Sequence, residues 1–260
     1  MSLRVLNLVR HYGGVKALDG VGFEVPEGQC VALIGPNGAG KSTCFACLAG
    51  QQTPQRGQVV WNGRDMAGLT PAQRQVLGMA RTFQVAQTFE ALTVLQNLQL
   101  VRSRERLSWW DRLSRRAHEQ GMRDAQQVGL ADQADAVVAN LPYGAKKRLE
   151  LAMALAGLPE QGRRLLLLDE PAAGLSPDER TDMMALVRQV AADGVTVLYT
   201  EHNMDAVFGV ADRVLVLMQG RLVADGSPEA VAQDAQVREH YLGQDFDLHL
   251  NAQGLADAGS

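Results

Sequence analysis

The sequence predicts an α/β fold with buried parallel strands, and three observations carry that prediction. A glycine-rich stretch, Gly35-Pro36-Asn37-Gly38-Ala39-Gly40-Lys41-Ser42-Thr43, follows an apolar run at residues 29–34 and opens a helix-compatible segment that stops at Gly50. Four leucines at 165–168 run directly into Asp169-Glu170. That is the pattern of a parallel strand buried on both faces that delivers acids at its C-terminal end, where ligands of such sheets bind. Between residues 85 and 157 strand-like runs disappear and helical patterns replace them, so a helical insert is expected inside the α/β frame.

The glycine stretch fits G-x-x-x-x-G-K-[ST], the phosphate-binding P-loop. Gly38 and Gly40 let the backbone approach closely and turn successive N–H groups toward phosphate oxygens. The helix that follows adds the positive end of its dipole. Lys41 is expected to reach the terminal phosphates and Ser42 to ligate Mg²⁺, with Gly35, Asn37 and Thr43 completing the cradle.

With 260 residues, 46% of them hydrophobic, the chain can bury a full core as one large domain or as one domain with a subdomain. The net charge is −4, and no basic block suggests a nucleic-acid or membrane-surface binder. Residues 112–116 are locally basic and read as a solvated helix face. The N-terminus runs straight into a strand pattern with no signal peptide expected, and no apolar run approaches membrane-spanning length. Three cysteines, an odd number, argue against a disulfide framework and for a reducing compartment. Cys44 and Cys47 form C-x-x-C, but they lie among Phe45, Ala46 and Leu48 with no second Cys/His pair nearby, so core packing is expected.

Taken in order, residues 3–9 read as a strand near a sheet edge. Tyr12 stands beside Gly13-Gly14, either as an ordinary loop aromatic or as a ring able to stack on a nucleotide base. Residues 21–25 read as a second strand, forming a hairpin with the strand that enters the P-loop. Residues 57–61 are a strand followed by an Asn62-Gly63 turn. Thr70-Pro71 caps a helix, with Thr at the N-cap and Pro at the first turn. Residues 79–83 form a short strand ending at Gln84, a residue type that can orient water or touch a metal. Helices are expected over 93–106, 109–128 and 144–157, with Trp109-Trp110 packed inside the insert. Asp169 would hold Mg²⁺ and Glu170 would polarise an attacking water. Residues 195–200 form the next buried strand, which brings His202 to the same sheet edge, in reach of a γ-phosphate. A hairpin over 213–224 turns at Gln219-Gly220, Ser227-Pro228 caps a further helix, and the polar tail beyond 243 is expected to be mobile.

The series as a whole resembles the ATP-binding subunit of an ABC transporter over residues 3–243. The resemblance implies a P-loop NTPase (RecA-like) core, an N-terminal antiparallel β subdomain and an inserted α-helical subdomain. The core would comprise 1–84 and 158–243 and the helical part 85–157. It makes Tyr12 the adenine-stacking aromatic, Gln84 the Q-loop glutamine and a metal contact, Asp169 the metal-binding Walker-B acid, Glu170 the catalytic glutamate and His202 the H-loop histidine. It implies ATP and Mg²⁺, a second ATPase subunit, two membrane permeases and, indirectly, an extracytoplasmic binding protein. The location would be the cytoplasmic face of the plasma membrane of a prokaryote.

Leu141-Pro142-Tyr143-Gly144-Ala145 occupies the family signature position, usually Leu-Ser-Gly-Gly-Gln, and matches it only at Leu141 and Gly144. Through that position Tyr143 and Gly144 would contact ATP held by a partner subunit. The Tyr-Gly pair, Ala80-Arg81-Thr82-Phe83-Gln84, Glu201-His202 and Tyr241-Leu242-Gly243 look like the branched-chain amino-acid importer subgroup. Pro142 removes a hydroxyl and an N–H from the signature, but is acceptable as the first residue of the signature helix. Ser176 stands where many relatives carry Asp. These departures suggest an asymmetric heterodimer. Other jobs for such a subunit are urea or amide import, lipopolysaccharide export and iron–sulfur assembly. A non-transport ABC protein and a P-loop kinase fit the single cassette and the spacing of motifs less well.

Overall fold

Six strands form the central sheet, in the order β10-β9-β3-β8-β7-β6. They are β3 (Cys30–Ile34), β6 (Met79–Arg81), β7 (Leu165–Asp169), β8 (Thr196–Thr200), β9 (Arg213–Met218) and β10 (Arg221–Gly226). All neighbours pair in parallel except β10, which turns back antiparallel on β9. The computed structural model describes residues 3–82, 88–102 and 115–243, without the side chains of 115 and 116.

The parallel strands are apolar along their middles, with polar residues at their ends, because both faces are covered. On β3, Cys30, Ala32 and Ile34 enter one core while Val31 and Leu33 enter the other. The leucines of β7 divide the same way, Leu166 and Leu168 to one side, Leu165 and Leu167 to the other. One core is roofed by the helix α6 (Pro177–Ala192) through Met183, Met184 and Val187. The other holds the helix α1 (Lys41–Leu48) and the inner face of a second sheet.

That second sheet is antiparallel, in the order β2-β1-β4-β5, from β1 (Leu3–Tyr12), β2 (Val15–Val25), β4 (Arg56–Trp61) and β5 (Arg64–Asp65). β1 lies one strand in from the β2 edge, flanked by β2 and β4, near a sheet edge as expected. One expectation is corrected here. β2 forms its hairpin with β1, not with the P-loop strand, since β3 pairs with β8 and β9. Leu3, Val5 and Leu8 are buried against Leu18, Val21 and Trp61, and such sequence-distant partners decide the pairing. The turn expected at Asn62-Gly63 is present, with φ of 51° and 80°.

After β4 and β5 comes the helix α2 (Pro71–Val76), opened by a full capping box between Thr70 and Gln73. Between β6 and β7 only helices are described. α3 (Val94–Arg102), α4 (Arg115–Gln127) and α5 (Tyr143–Ala156) share a core of Val94, Leu98, Ala125, Val128 and Leu149. Trp109, Trp110 and the tail beyond 243 lie outside the described residues. Cys30, Cys44 and Cys47 are buried free thiols, as the core reading of C-x-x-C requires, and burial raises Cys30 to about 12.

Candidate functional site

The parallel sheet places the C-terminal ends of β3, β6, β7 and β8 along one edge, and the candidate site is built there. Beyond β3 the chain turns into the P-loop and enters α1, so the loop wraps the start of that helix. Its geometry admits only glycine at two points. Gly35 has φ 145° and a Cβ there would sit 2.0 Å from Leu217 O. Gly40, the N-cap of α1, has φ 107° and its Cβ would meet Ala17 O at 2.1 Å. No side chain caps α1, so its leading N–H groups face the loop interior, an arrangement suited to an anion.

An open pocket of about 300 Å³ lies over this loop. It is lined by Tyr12, Ala17, Asn37, Gly38, Ala39, Gly40, Lys41, Ser42, Thr43, Glu170 and His202. Lys41 is turned back across its own loop, its Nζ donating to Gly35 O at 2.5 Å and to Pro36 O at 3.2 Å. Burial lowers its pKa, while the charges of Glu170 and Asp169 oppose that shift. Tyr12 is exposed at the rim, its hydroxyl bonded to Gln52 and its ring facing the Arg10 guanidinium at 4.9 Å.

Across the pocket β7 ends in Asp169, and Glu170 follows with φ 50°, a left-handed conformation uncommon outside glycine. From the neighbouring strand end, His202 Nε2 lies 2.9 Å from Glu170 Oε1. Asp169 accepts the Arg81 Nη2 donor at 2.6 Å on Oδ2 and the Thr200 hydroxyl at 2.9 Å on Oδ1. Glu201, buried behind them, accepts Ala172 N–H and His202 N–H. Burial raises its pKa against those two bonds.

Strand, glycine loop and helix on one side, with a carboxylate–imidazole pair on the facing strand ends, are the arrangement of a nucleotide-hydrolysing cassette. A family profile described as ABC transporter matches residues 18–173. The chain belongs to the ABC transporter ATP-binding family. This cassette also matches, over residues 221–247, a family described as branched-chain amino acid ATP-binding cassette transporter. It is 36% identical over 253 residues to the high-affinity branched-chain amino acid transport ATP-binding protein BraF of Pseudomonas aeruginosa, covering 93% of this chain and 98% of the relative. It is 35% identical over 254 residues to LivG of Escherichia coli, with the same coverage. Among solved structures it resembles the ADP conformation of an ATP-binding cassette of an ABC transporter, with TM-score 0.82 and 30% identity, covering 94% of this chain and 99% of the other. A nucleotide-free cassette matches with TM-score 0.81 and the same identity and coverage. The cassette therefore binds nucleotide and is an ATPase.

The fold brings the cassette's P-loop, Tyr12, Glu170 and His202 around one pocket, with Asp169 immediately behind. It does not bring Tyr143 and Gly144 there. They begin α5, where Tyr143 is exposed against Gly174 and Gly144 is pressed on Glu179. Gln84 lies outside the described residues. Pro142 is the N-cap of α5, one position earlier than expected, with Tyr143 the first helical residue. Ser176 caps α6, its hydroxyl accepting Glu179 N–H while Glu179 accepts Ser176 N–H, which accounts for a short polar side chain at that position.

Four residues of the cassette carry site contacts that the sequence reading passed over: Arg81, Thr200, Glu201 and Tyr241. Arg81 ends β6 and Thr200 ends β8, so their place beside Asp169 follows from strand order alone. Tyr241, in the C-terminal turn, reaches the backbone of Gly35.

The donor set suits a hard cation held jointly with phosphates. Ser42 offers a hydroxyl and Asp169 a carboxylate, both oxygen donors, and no cluster of three or more His, Cys, Asp or Glu able to cage a metal exists among the described residues. Mg²⁺ is bound in this way, through one or two protein oxygens, water and substrate phosphates.

Proposed function

We propose that this chain is the ATP-hydrolysing subunit of an importer for branched-chain amino acids. The observation that carries the proposal is the pocket in which the P-loop faces Glu170 and His202. Support for the solute class comes from the named relatives and from the match over residues 221–247.

In this reading, Lys41 leaves the carbonyls of Gly35 and Pro36 and donates to the β- and γ-phosphates, while the leading N–H groups of α1 hold phosphate oxygens. Tyr12 stacks on the adenine. Glu170 takes a proton from the attacking water, and His202 orients Glu170 and donates to the γ-phosphate. Ser42, Asp169 and Gln84 hold Mg²⁺, which when bound offsets charge on the phosphates. Residues 1–84 and 158–243 form the hydrolytic core and 85–157 the helical part.

Tyr143 and Gly144, lying away from this pocket, act on nucleotide bound by a second cassette. Pro142 withholds a hydroxyl and an N–H from that contact, so the partner is a different chain with a fuller signature, and the two sites are unequal. The pair docks on the cytoplasmic face of two permeases that receive solute from an extracytoplasmic binding protein. In keeping with a peripheral place, no helix among the described residues is long and apolar enough to cross a membrane.

The test is reconstitution of this chain with its permeases, second cassette and binding protein in proteoliposomes. ATP-dependent uptake of labelled leucine is expected with the native chain and is expected to be absent with Glu170→Gln. Leucine uptake that Glu170→Gln leaves intact overturns the assignment. Cooperative hydrolysis at transporter-like rates by this chain alone overturns the unequal heterodimer.

A further inference from the structure

We infer that Thr200 is a positioning residue for hydrolysis, whose hydroxyl ties the Asp169 carboxylate to the backbone of Glu170. The inference rests on the roles proposed above for those two acids.

Thr200 closes β8 and is 1% exposed, directly opposite Asp169 in the parallel register. The strand before it, Val197-Leu198-Tyr199, is apolar and fully buried. A hydroxyl at such a place costs stability unless it is bonded on both sides. This one is. Thr200 Oγ1 accepts Glu170 N–H at 3.1 Å and donates to Asp169 Oδ1 at 2.9 Å. A hydroxyl has a single proton, and with Glu170 N–H occupying a lone pair, that proton is directed at the carboxylate. It therefore fixes the plane of the Asp169 carboxyl group. Arg81 holds the other oxygen at 2.6 Å, so two strands grip the acid from opposite sides.

The second half of the link concerns Glu170. Its φ of 50° is held by a three-centre bond in which the same N–H reaches Thr200 O and Thr200 Oγ1, each at 3.1 Å. That backbone pose aims the side chain at His202 and the pocket. One hydroxyl thus sets the orientation of the metal-binding acid and of the water-activating base together.

The experiment compares Thr200→Val, which keeps the branched shape without the hydroxyl, with Thr200→Ser, which keeps the hydroxyl. The native complex is assayed for kcat and KM, and nucleotide affinity is measured with Mg²⁺ and with a chelator. Thr200→Val is expected to lower kcat about tenfold, the worth of one hydrogen bond to a charged group. It is also expected to weaken Mg²⁺-dependent nucleotide binding, leaving affinity in chelator within about twofold. Thr200→Ser is expected to restore both. A merely structural hydroxyl would lower the melting temperature of Thr200→Val while kcat and the ratio of the two affinities stay native, and that result overturns the inference. So does a kcat loss that Thr200→Ser does not rescue. Glu170→Gln, run alongside, separates the levels: turnover surviving in that variant removes the reading of the site beneath the inference. Loss there with a silent Thr200→Val removes the inference alone.

Discussion

His202 Nε2 stands 2.9 Å from Glu170 Oε1, and the two residues come from the ends of adjacent parallel strands, 32 positions apart. The contact orients a carboxylate whose backbone is already in a left-handed pose. Glu170→Gln is expected to lower phosphate release by about 10²-fold or more while nucleotide binding is no weaker, since the amide keeps the shape and loses the base. His202→Ala is expected to lower turnover as well. The double variant should lose far less than the product of the two single effects, because the pair acts as a unit. Steady-state phosphate release and fluorescent-nucleotide titration of the three variants check this, and strict additivity would separate the two roles.

Lys41 lines the pocket over the P-loop, and in this structure its Nζ is satisfied by two loop carbonyls. Exchanging these for phosphate oxygens forms charge-assisted bonds worth about 1.5–3 kcal/mol each. Lys41→Ala is expected to weaken ATP binding by about tenfold to several hundredfold, measured by titration calorimetry. Affinity unchanged in Lys41→Ala would contradict the P-loop assignment.

Two glycines of the same loop should respond differently to alanine. Gly38 has φ 79° with open space around the missing Cβ, so Gly38→Ala is expected to cost only the left-handed backbone penalty, about 1–2 kcal/mol. Gly40 combines φ 107° with an Ala17 carbonyl oxygen 2.1 Å from the Cβ position. Gly40→Ala must therefore move β2 or the start of α1, and it is expected to destabilise more than Gly38→Ala and to abolish nucleotide binding. Urea unfolding of both variants ranks them, and equal midpoints would contradict the steric argument.

Burial of Glu201 raises its pKa above the ordinary carboxylate value of 4.5. The folded state then holds this proton more tightly than the unfolded state. The resulting penalty is absent below 4.5 and grows as pH rises through the folded value. Glu201→Gln lacks the titrating group but still offers one oxygen to Ala172 N–H or His202 N–H. Its stability relative to the native chain is expected to improve steadily from pH 4.5 upward, until the native carboxyl is fully ionised. Urea midpoints of both proteins across that range supply the test, and a difference independent of pH would show that Glu201 does not carry the linkage.

Much of the site was legible because its residues sit at element ends with strong local signals. The P-loop is a contiguous motif, Asp169 and Glu170 follow four leucines, and His202 follows closely on another apolar strand. The capping pairs Thr70–Gln73 and Ser176–Glu179 each span a single turn, so local sequence specifies them. Arg81 and Thr200 carried no such signal. An arginine before Thr82 and a threonine closing the Val197-Leu198-Tyr199 run are ordinary strand residues until strand order sets them on either side of Asp169.

The order of strands and helices, the phosphate loop and the pair of acids are properties of the chain read linearly, since each depends on neighbours within one turn or one strand. Three-dimensional pairing settled the rest. β1 lies inside its sheet because its apolar face finds β2 and β4, the latter more than forty residues on. Tyr143 and Gly144 begin a helix packed on the α6 side, outside the lining of this chain's own pocket. Asp169 is gripped by β6 and β8 because both strands flank β7 in the sheet, 88 and 31 positions away along the chain. Contacts over such separations are governed by burial and register, which no local stretch encodes.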